Sequence, residues 1–95
     1  IDCSHANSQK DHTRQANVCR DVAAQIAGGE RRIIGVMLES NLVAGAQKLV
    51  AGQPLVYGQS ITDACLAWDE TAVLLGEVAA AVRVGRPAAS RQPVV

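Results

Sequence analysis

Two stretches of the chain carry apolar residues at three- and four-residue intervals, the spacing of an amphipathic helix. The first predicts a helix over residues 9–27 and the second a helix from Asp69 to about Val84. The predicted apolar faces are Val18, Cys19, Val22, Ala23 and Ile26 in the first helix, and Leu74, Leu75, Val78, Ala81 and Val82 in the second.

The residues that flank these patterns predict where each helix begins and ends. Residues 6–8 (Ala-Asn-Ser) suit a helix entry because Asn and Ser side chains accept hydrogen bonds from free amides. Gly28 and Gly29 suit the end of the first helix, since glycine readily takes the left-handed conformation. Asp69 is predicted to cap the second helix, with Glu70 adding negative charge near the positive end of its dipole. Residues 85–95 are predicted to be a disordered tail.

Short apolar segments between the helices predict strands. Residues 33–38 are apolar without alternation, which favours a strand buried on both faces. Residues 1–5 and 60–63 are predicted as two further short strands. Residues 40–59 hold three glycines and a proline, which predicts a loop with one helical turn at 46–50. Right-handed crossovers would make the three strands parallel, so an α/β fold is predicted.

Composition and charge exclude several classes of protein. Nine basic and nine acidic side chains balance, and the aromatic residues are only Tyr57 and Trp68, so nucleic-acid binding is not expected. The longest apolar run is too short to cross a bilayer, and no signal peptide is visible, which predicts a cytoplasmic protein that does not bind membranes.

The chain starts without methionine, so its N-terminus is expected to be a cut in a longer chain. Three cysteines without CxxC spacing are expected to be buried thiols in a reducing compartment, namely Cys3, Cys19 and Cys65.

Three polar residues follow the three predicted strands: His5, Glu39 and Asp63. Parallel strands end on the same side of a sheet, so these side chains are expected to converge. One imidazole and two carboxylates suit a divalent ion such as Mn²⁺, Fe²⁺, Co²⁺ or Zn²⁺.

Each of the three residues also has a simpler interpretation. His5 fits a loop or a helix cap, Glu39 fits an ion pair with an arginine, and Asp63 fits the N-cap of the last helix. Arg31 and Arg32 precede the second strand and are interpreted as charged surface rather than as a phosphate site. Physical reasoning from the residues leaves the metal site open beside these alternatives.

Four segments resemble, in order and spacing, those of the type I 3-deoxy-7-phosphoheptulonate synthases (DAHP synthases). They are DCSHANS at 2–8, QIAGG at 25–29, IIGVMLES at 33–40 and YGQSITDAC at 57–65. The resemblance runs from residue 1 to about residue 84.

This resemblance implies that residues 1–84 are the C-terminal part of a (β/α)₈ TIM barrel, its last three strand–helix units. It implies condensation of phosphoenolpyruvate with erythrose 4-phosphate, the first step of the shikimate pathway of aromatic amino-acid biosynthesis. It also implies His5, Glu39 and Asp63 as ligands of a divalent ion (Mn, Fe, Co or Zn), with a catalytic proton-transfer role for His5 or Asp63.

Other parts of the site that the resemblance implies have no counterpart in this chain. The fourth ligand is a cysteine whose motif Cys3, Cys19 and Cys65 do not match, and the phosphate-binding Arg and Lys residues and the effector site are also missing. The full-length enzyme is expected to form a homo-oligomer. The chain by itself is expected to be inactive and either unstable or self-associating.

Two other functions remain possible at this level. One is a different metal-dependent barrel aldolase or hydrolase that uses the same three residues. The other is a non-catalytic fragment that docks to a partner.

Overall fold

The structure, a computed structural model, describes residues 1–86. Its regular elements are two short 3₁₀ helices, His5–Ser8 and His12–Arg14, followed by α1 (Gln15–Ala27), β1 (Ser40–Asn41), β2 (Leu66–Ala67) and α2 (Trp68–Gly85). The predicted disordered tail lies outside these residues from residue 87 onward, while Gly85, predicted to belong to it, is the last residue of α2.

The extended segments pair in parallel, as predicted. Asp2 is bridged to Met37, with Cys3 N–H donating to the Met37 carbonyl and Met37 N–H to the Ile1 carbonyl, both at 2.9 Å. β1 pairs with β2 in the register Ser40 to Leu66 and Asn41 to Ala67. The predicted strands 1–5 and 33–38 are therefore reduced to the single Asp2–Met37 bridge, and β1 lies just after the second of them, at Ser40–Asn41.

The third strand lies later in the chain than predicted. Residues 60–63 form no strand and make only one bridge, Ser60 to Ala46. The paired segment is Leu66–Ala67, in which Leu66 N–H donates to the Glu39 carbonyl at 2.9 Å and the Leu66 side chain is only 2% exposed. Burial of this leucine explains the register, because residues 60–63 offer only Ile61 for burial and it is half-exposed.

The prediction that residues 33–38 are buried on both faces is wrong within the described chain. Ile33, Val36 and Leu38 are partly buried against the helices, whereas Ile34 is 94% exposed and Met37 is also exposed. One face of this segment is thus covered by α1 and α2, and nothing in residues 1–86 covers the other.

The core lies between α1 and α2, and it has two parts. The first surrounds the start of the helices and contains Cys3, Ala16, Cys19, Leu66 and Leu74. The second surrounds their later turns and contains Val22, Ala23, Ile26 and Ala81. At the far end Gly85 lies so close to the Ile26 carbonyl that a side chain there would collide with it.

The first helix begins later than predicted. α1 starts at Gln15 rather than at residue 9, because Gln9 and Lys10 have φ angles of 57° and 60°, which a right-handed helix cannot contain. Residues 6–8 lie in a 3₁₀ helix instead, and the side chain that caps the next turn is Asp11, which accepts from Thr13 N–H. The predicted end is confirmed: α1 stops at Ala27 and Gly29 has a φ of 101°.

The second helix and the long loop also differ in detail. α2 begins at Trp68 with Ala67 as its N-cap, and Asp69 and Glu70 lie in its first turn. The helical turn predicted at 46–50 is absent. The Gln47 side chain instead donates to the Val56 carbonyl at 2.8 Å and accepts from Val56 N–H at 2.8 Å, which holds this part of the loop in an irregular conformation.

We expect Leu74→Ala to lower the free energy of unfolding by about 2–5 kcal/mol, because Leu74 is fully buried and truncation leaves a cavity. The matched control is Leu75→Ala in the same helix. Leu75 was predicted on the apolar face, but it is 46% exposed and its truncation is expected to cost far less. Urea unfolding of the parent and the two variants, each within a full-length chain, checks this, and equal costs for both substitutions would contradict the packing described.

Within residues 1–86, no helix combines the length and the apolar character that crossing a membrane requires.

Candidate metal centre

His5, Glu39 and Asp63 meet at one place, although they are far apart in sequence. His5 Nε2 lies 3.2 Å from Asp63 Oδ2 and 3.6 Å from Glu39 Oε2. One ligand atom of each residue lies within 4.8 Å of the other two. The sequence therefore predicted the convergence correctly, although Asp63 precedes β2 rather than following a strand.

The simpler interpretations of the two carboxylates do not fit this geometry. The N-cap of α2 is Ala67, and Asp63 lies four residues before it. The arginine ion pairs found in residues 1–86 involve Asp11, Glu30 and Glu77 rather than Glu39. Arg32 donates two guanidinium hydrogen bonds to Glu30 at 2.9 Å, as expected for charged surface.

The donor atoms fit a divalent transition ion. With metal–ligand bonds of about 2.1 Å, neighbouring ligands around one ion lie about 3.0–3.4 Å apart. The separations from His5 Nε2 are in or near this range. An imidazole with two carboxylates suits Mn²⁺, Fe²⁺, Co²⁺ or Zn²⁺ better than Ca²⁺, which prefers oxygen alone.

The electrostatics of the site also favour a positive charge at its centre. The pKa of His5 is raised above 6.5 by its hydrogen bonds to Asp2 and to Asp63 and by the nearby charge of Glu39. A divalent ion bound beside Nε2 would balance the charge of these carboxylates in place of a proton on the ring.

Asp2 lies behind His5, on the side away from the other two carboxylates. Its Oδ2 is 3.0 Å from His5 Nδ1, and its Oδ1 accepts from Ser4 N–H at 2.8 Å and from the Ser4 hydroxyl at 2.5 Å. The Ser4 and His5 hydrogen bonds hold the pKa of Asp2 at about 2, so this carboxylate stays ionised.

The backbone of Glu39 is fixed by the side chain of Gln15, the first residue of α1. Gln15 accepts from Glu39 N–H at 2.9 Å and donates to the Glu39 carbonyl at 3.3 Å, and it is fully buried. The same carbonyl accepts from Leu66 N–H of β2. The helix and the strand thus hold the position from which the Glu39 carboxylate extends.

The three residues line an open cavity of about 340 Å³. Ser8, Lys10 and Ala64 complete its lining, and Lys10 adds the basic side chain. His5 has a φ of 52°, in the left-handed region that few histidines adopt. Strained backbone of this kind is often found at functional sites.

Sequence reasoning missed Asp2, Gln15 and Lys10 as parts of the site. Asp2 had a signal, since a carboxylate three residues before a candidate histidine ligand is a natural partner for its second nitrogen. Gln15 had none, because its contact with Glu39 depends on how α1 packs.

The three cysteines are buried and free as predicted. Burial raises the pKa of Cys3 to about 11, which disfavours the thiolate that a metal would require.

A sequence profile described as the DAHP synthetase I family matches residues 1–76. The chain belongs to this family. The family membership expected from the four sequence segments is thereby confirmed.

The relatives from this family that the chain matches are much longer than it is. It is 58% identical over 86 residues to the Phe-sensitive phospho-2-dehydro-3-deoxyheptonate aldolase of Escherichia coli (strain K12), covering 90% of this chain and 25% of that protein. It is 54% identical over 96 residues to the corresponding aldolase of Corynebacterium glutamicum, covering 94% and 26%. The chain thus spans about a quarter of the length of its relatives.

A solved structure agrees with these sequence matches. The phospho-2-dehydro-3-deoxyheptonate aldolase of Francisella tularensis SCHU S4 superposes with a TM-score of 0.85 at 52% identity, over 92% of this chain and 25% of that one. The described fold is therefore an α/β segment of this family, with parallel strands.

Proposed function

We propose that this chain forms part of a DAHP synthase, which joins phosphoenolpyruvate to erythrose 4-phosphate in the first step of aromatic amino-acid biosynthesis. The observation that carries the proposal is the convergence of His5, Glu39 and Asp63 in a chain that is 58% identical to a named aldolase of this family. In the reaction, C3 of phosphoenolpyruvate bonds to the aldehyde carbon, water adds at C2, and phosphate leaves by C–O cleavage.

We further propose that residues 1–84 are the last three strand–helix units of a (β/α)₈ barrel. The parallel pairing of the strands supports this, as does the fully exposed Ile34 on the face that the helices leave uncovered. In a complete barrel that face would be buried, since barrel interiors are filled by side chains. A chain that exposes this much apolar surface is expected to be inactive alone, and unstable or self-associating.

His5, Glu39 and Asp63 would hold a divalent ion (Mn, Fe, Co or Zn), with a fourth ligand from outside this chain. When bound, such an ion polarises the aldehyde oxygen and stabilises the charge that develops on it. Lys10 lines the same cavity, where its ammonium group would attract the anionic substrates.

Asp63 is the better candidate of the two predicted proton-transfer residues. Both nitrogens of His5 are engaged, Nδ1 by Asp2 and Ser4 and Nε2 toward Glu39 and Asp63. The Asp63 side chain is 64% exposed, so its carboxylate can reach a substrate in the cavity. We therefore assign the proton transfer to Asp63, whose carboxylate would accept the proton that water releases as it adds at C2 of phosphoenolpyruvate.

The function is tested in a full-length chimera, in which this chain replaces the segment it matches in the Escherichia coli relative. We expect phosphate release only with both substrates, loss of activity with a chelator and recovery with Mn²⁺. Phosphate release with one substrate alone would favour a different aldolase or hydrolase. A folded chimera without activity would refute the proposal and favour a docking role.

Two further proposals concern the full-length protein. We expect the full-length protein to be cytoplasmic and to form a homo-oligomer. Light scattering of the purified chimera checks the second.

A further inference from the structure

The carboxylate of Asp2 contacts the imidazole nitrogen of His5 that faces away from the proposed metal position. Oδ2 of Asp2 is 3.0 Å from Nδ1, while Nε2 on the opposite side of the ring faces Asp63 at 3.2 Å and Glu39 at 3.6 Å. His5 therefore bridges one carboxylate on one side and two on the other.

Asp2 is itself held in place. Its other oxygen, Oδ1, accepts hydrogen bonds from both the backbone amide and the hydroxyl of Ser4, whose side chain is almost fully buried. Asn7 donates to the Asp2 carbonyl at 2.6 Å, and the Asp2–Met37 bridge fixes the backbone. Both carboxylate oxygens thus have partners, so Asp2 has little freedom to turn away from His5.

The arrangement decides which nitrogen of His5 carries the proton. An ionised carboxylate only accepts hydrogen bonds, so Asp2 favours the tautomer with hydrogen on Nδ1. In that neutral tautomer Nε2 has a free lone pair, and this lone pair faces Glu39 and Asp63. The Ser4 hydroxyl, 2.8 Å from Nδ1, already donates to Asp2 and therefore accepts from the ring.

We propose that Asp2 is a positioning residue that keeps His5 in the Nδ1–H tautomer, so that Nε2 can bind a divalent ion together with Glu39 and Asp63. The inference rests on the metal site proposed above and extends it to a residue that does not touch the ion. A carboxylate behind a ligating histidine fixes the orientation of the ring and makes the free nitrogen more basic.

Asp2→Asn tests this role with little change in shape. The asparagine can keep its oxygen on the Ser4 donors, which leaves the NH₂ group facing Nδ1. That group donates, so the ring is expected to move its proton to Nε2 and lose the lone pair that binds the ion. In the full-length chimera we expect Mn²⁺ affinity, measured by chelator competition, to fall by roughly 10- to 100-fold.

Asp11→Asn is the matched control, because Asp11 repeats the local pattern with Arg14 in the position that His5 has relative to Asp2. It stands two residues before Thr13, as Asp2 stands before Ser4, and Oδ1 accepts from Thr13 N–H at 3.0 Å and from the Thr13 hydroxyl at 2.6 Å. Its second oxygen lies 3.6 Å from Arg14. We expect Asp11→Asn to bind Mn²⁺ with an affinity within twofold of the parent. Asp2→Glu keeps a carboxylate, and we expect it to recover part of the affinity that Asp2→Asn loses.

A second measurement requires no substitution at Asp2. With Zn²⁺ bound to the parent chimera, the ¹⁵N shifts of His5 are expected to show a protonated Nδ1 and a metal-bound Nε2. A metal-bound Nδ1 would overturn the inference. So would an Asp2→Asn chimera whose Mn²⁺ affinity stays within twofold of the parent, provided that Glu39→Gln abolishes binding in the same assay. A parent chimera that binds no metal would instead refute the metal site itself, and the inference with it.

Discussion

Glu39→Gln is expected to lower the metal-dependent turnover of the full-length chimera by roughly 10³-fold at ordinary Mn²⁺ concentrations. The substitution preserves shape, and the Gln15 hydrogen bonds to the Glu39 backbone do not involve the side chain that changes. What is lost is one of the two carboxylate ligands that this chain supplies, and with it much of the metal affinity. A bound ion contributes several kcal/mol of transition-state stabilisation, which corresponds to a rate factor of about this size.

Glu77→Gln provides the matched control for the loss of a glutamate charge. Glu77 lies on α2 and accepts from Arg20 at 2.9 Å in an exposed ion pair, and it does not line the cavity that contains Glu39. Exposed pairs of this kind contribute about 0–1 kcal/mol, so stability and turnover should change little. Full Mn²⁺-dependent turnover in Glu39→Gln would exclude Glu39 as a ligand.

Asp63→Asn is expected to separate metal binding from proton transfer. The carboxamide oxygen can still approach the ion, but the amide cannot donate or accept the proton that Asp63 is proposed to move. At saturating Mn²⁺ we expect turnover to fall by about 10²- to 10⁴-fold, the usual contribution of general acid–base catalysis. Mn²⁺ affinity should also fall, as in Glu39→Gln, because one carboxylate charge is lost, and turnover is therefore compared at saturating Mn²⁺.

The control for this substitution is Asp69→Asn in the first turn of α2. It removes the same charge from a helix end, where we expect a small loss of stability and normal turnover. An Asp63→Asn chimera that retained both metal affinity and turnover would eliminate the proposed double role of Asp63.

The apolar pattern predicted both helices and the parallel pairing, because these features depend on local spacing and on the handedness of crossovers. The predicted strand ends also indicated that His5, Glu39 and Asp63 would converge. For Asp63 the reasoning was only partly right, since this residue lies in a bend before β2. The side chains meet nonetheless, with Asp63 Oδ2 lying 3.2 Å from His5 Nε2.

Two of the features that the pattern did not predict depend on contacts distant in sequence. Strand β2 lies at Leu66–Ala67 because Leu66 is buried between the helices, and local preference does not reveal this. The late start of α1 follows from the left-handed backbone at Gln9 and Lys10, residues for which that conformation is uncommon. Gln15 resembles any polar residue at a helix start until its buried contact with Glu39 is known.

The separation of the three proposed ligands has a consequence for folding. They stand at positions 5, 39 and 63, so no two of them lie within a single turn or hairpin. The unfolded chain therefore offers an ion only scattered single donors, whereas the native chain offers all three at once. An ion bound here would stabilise the native state by mass action. At concentrations above the dissociation constant, the free energy of unfolding would rise with the logarithm of the ratio of ion concentration to dissociation constant. Metal supply would then influence how much of the folded protein a cell maintains, in addition to how fast that protein works.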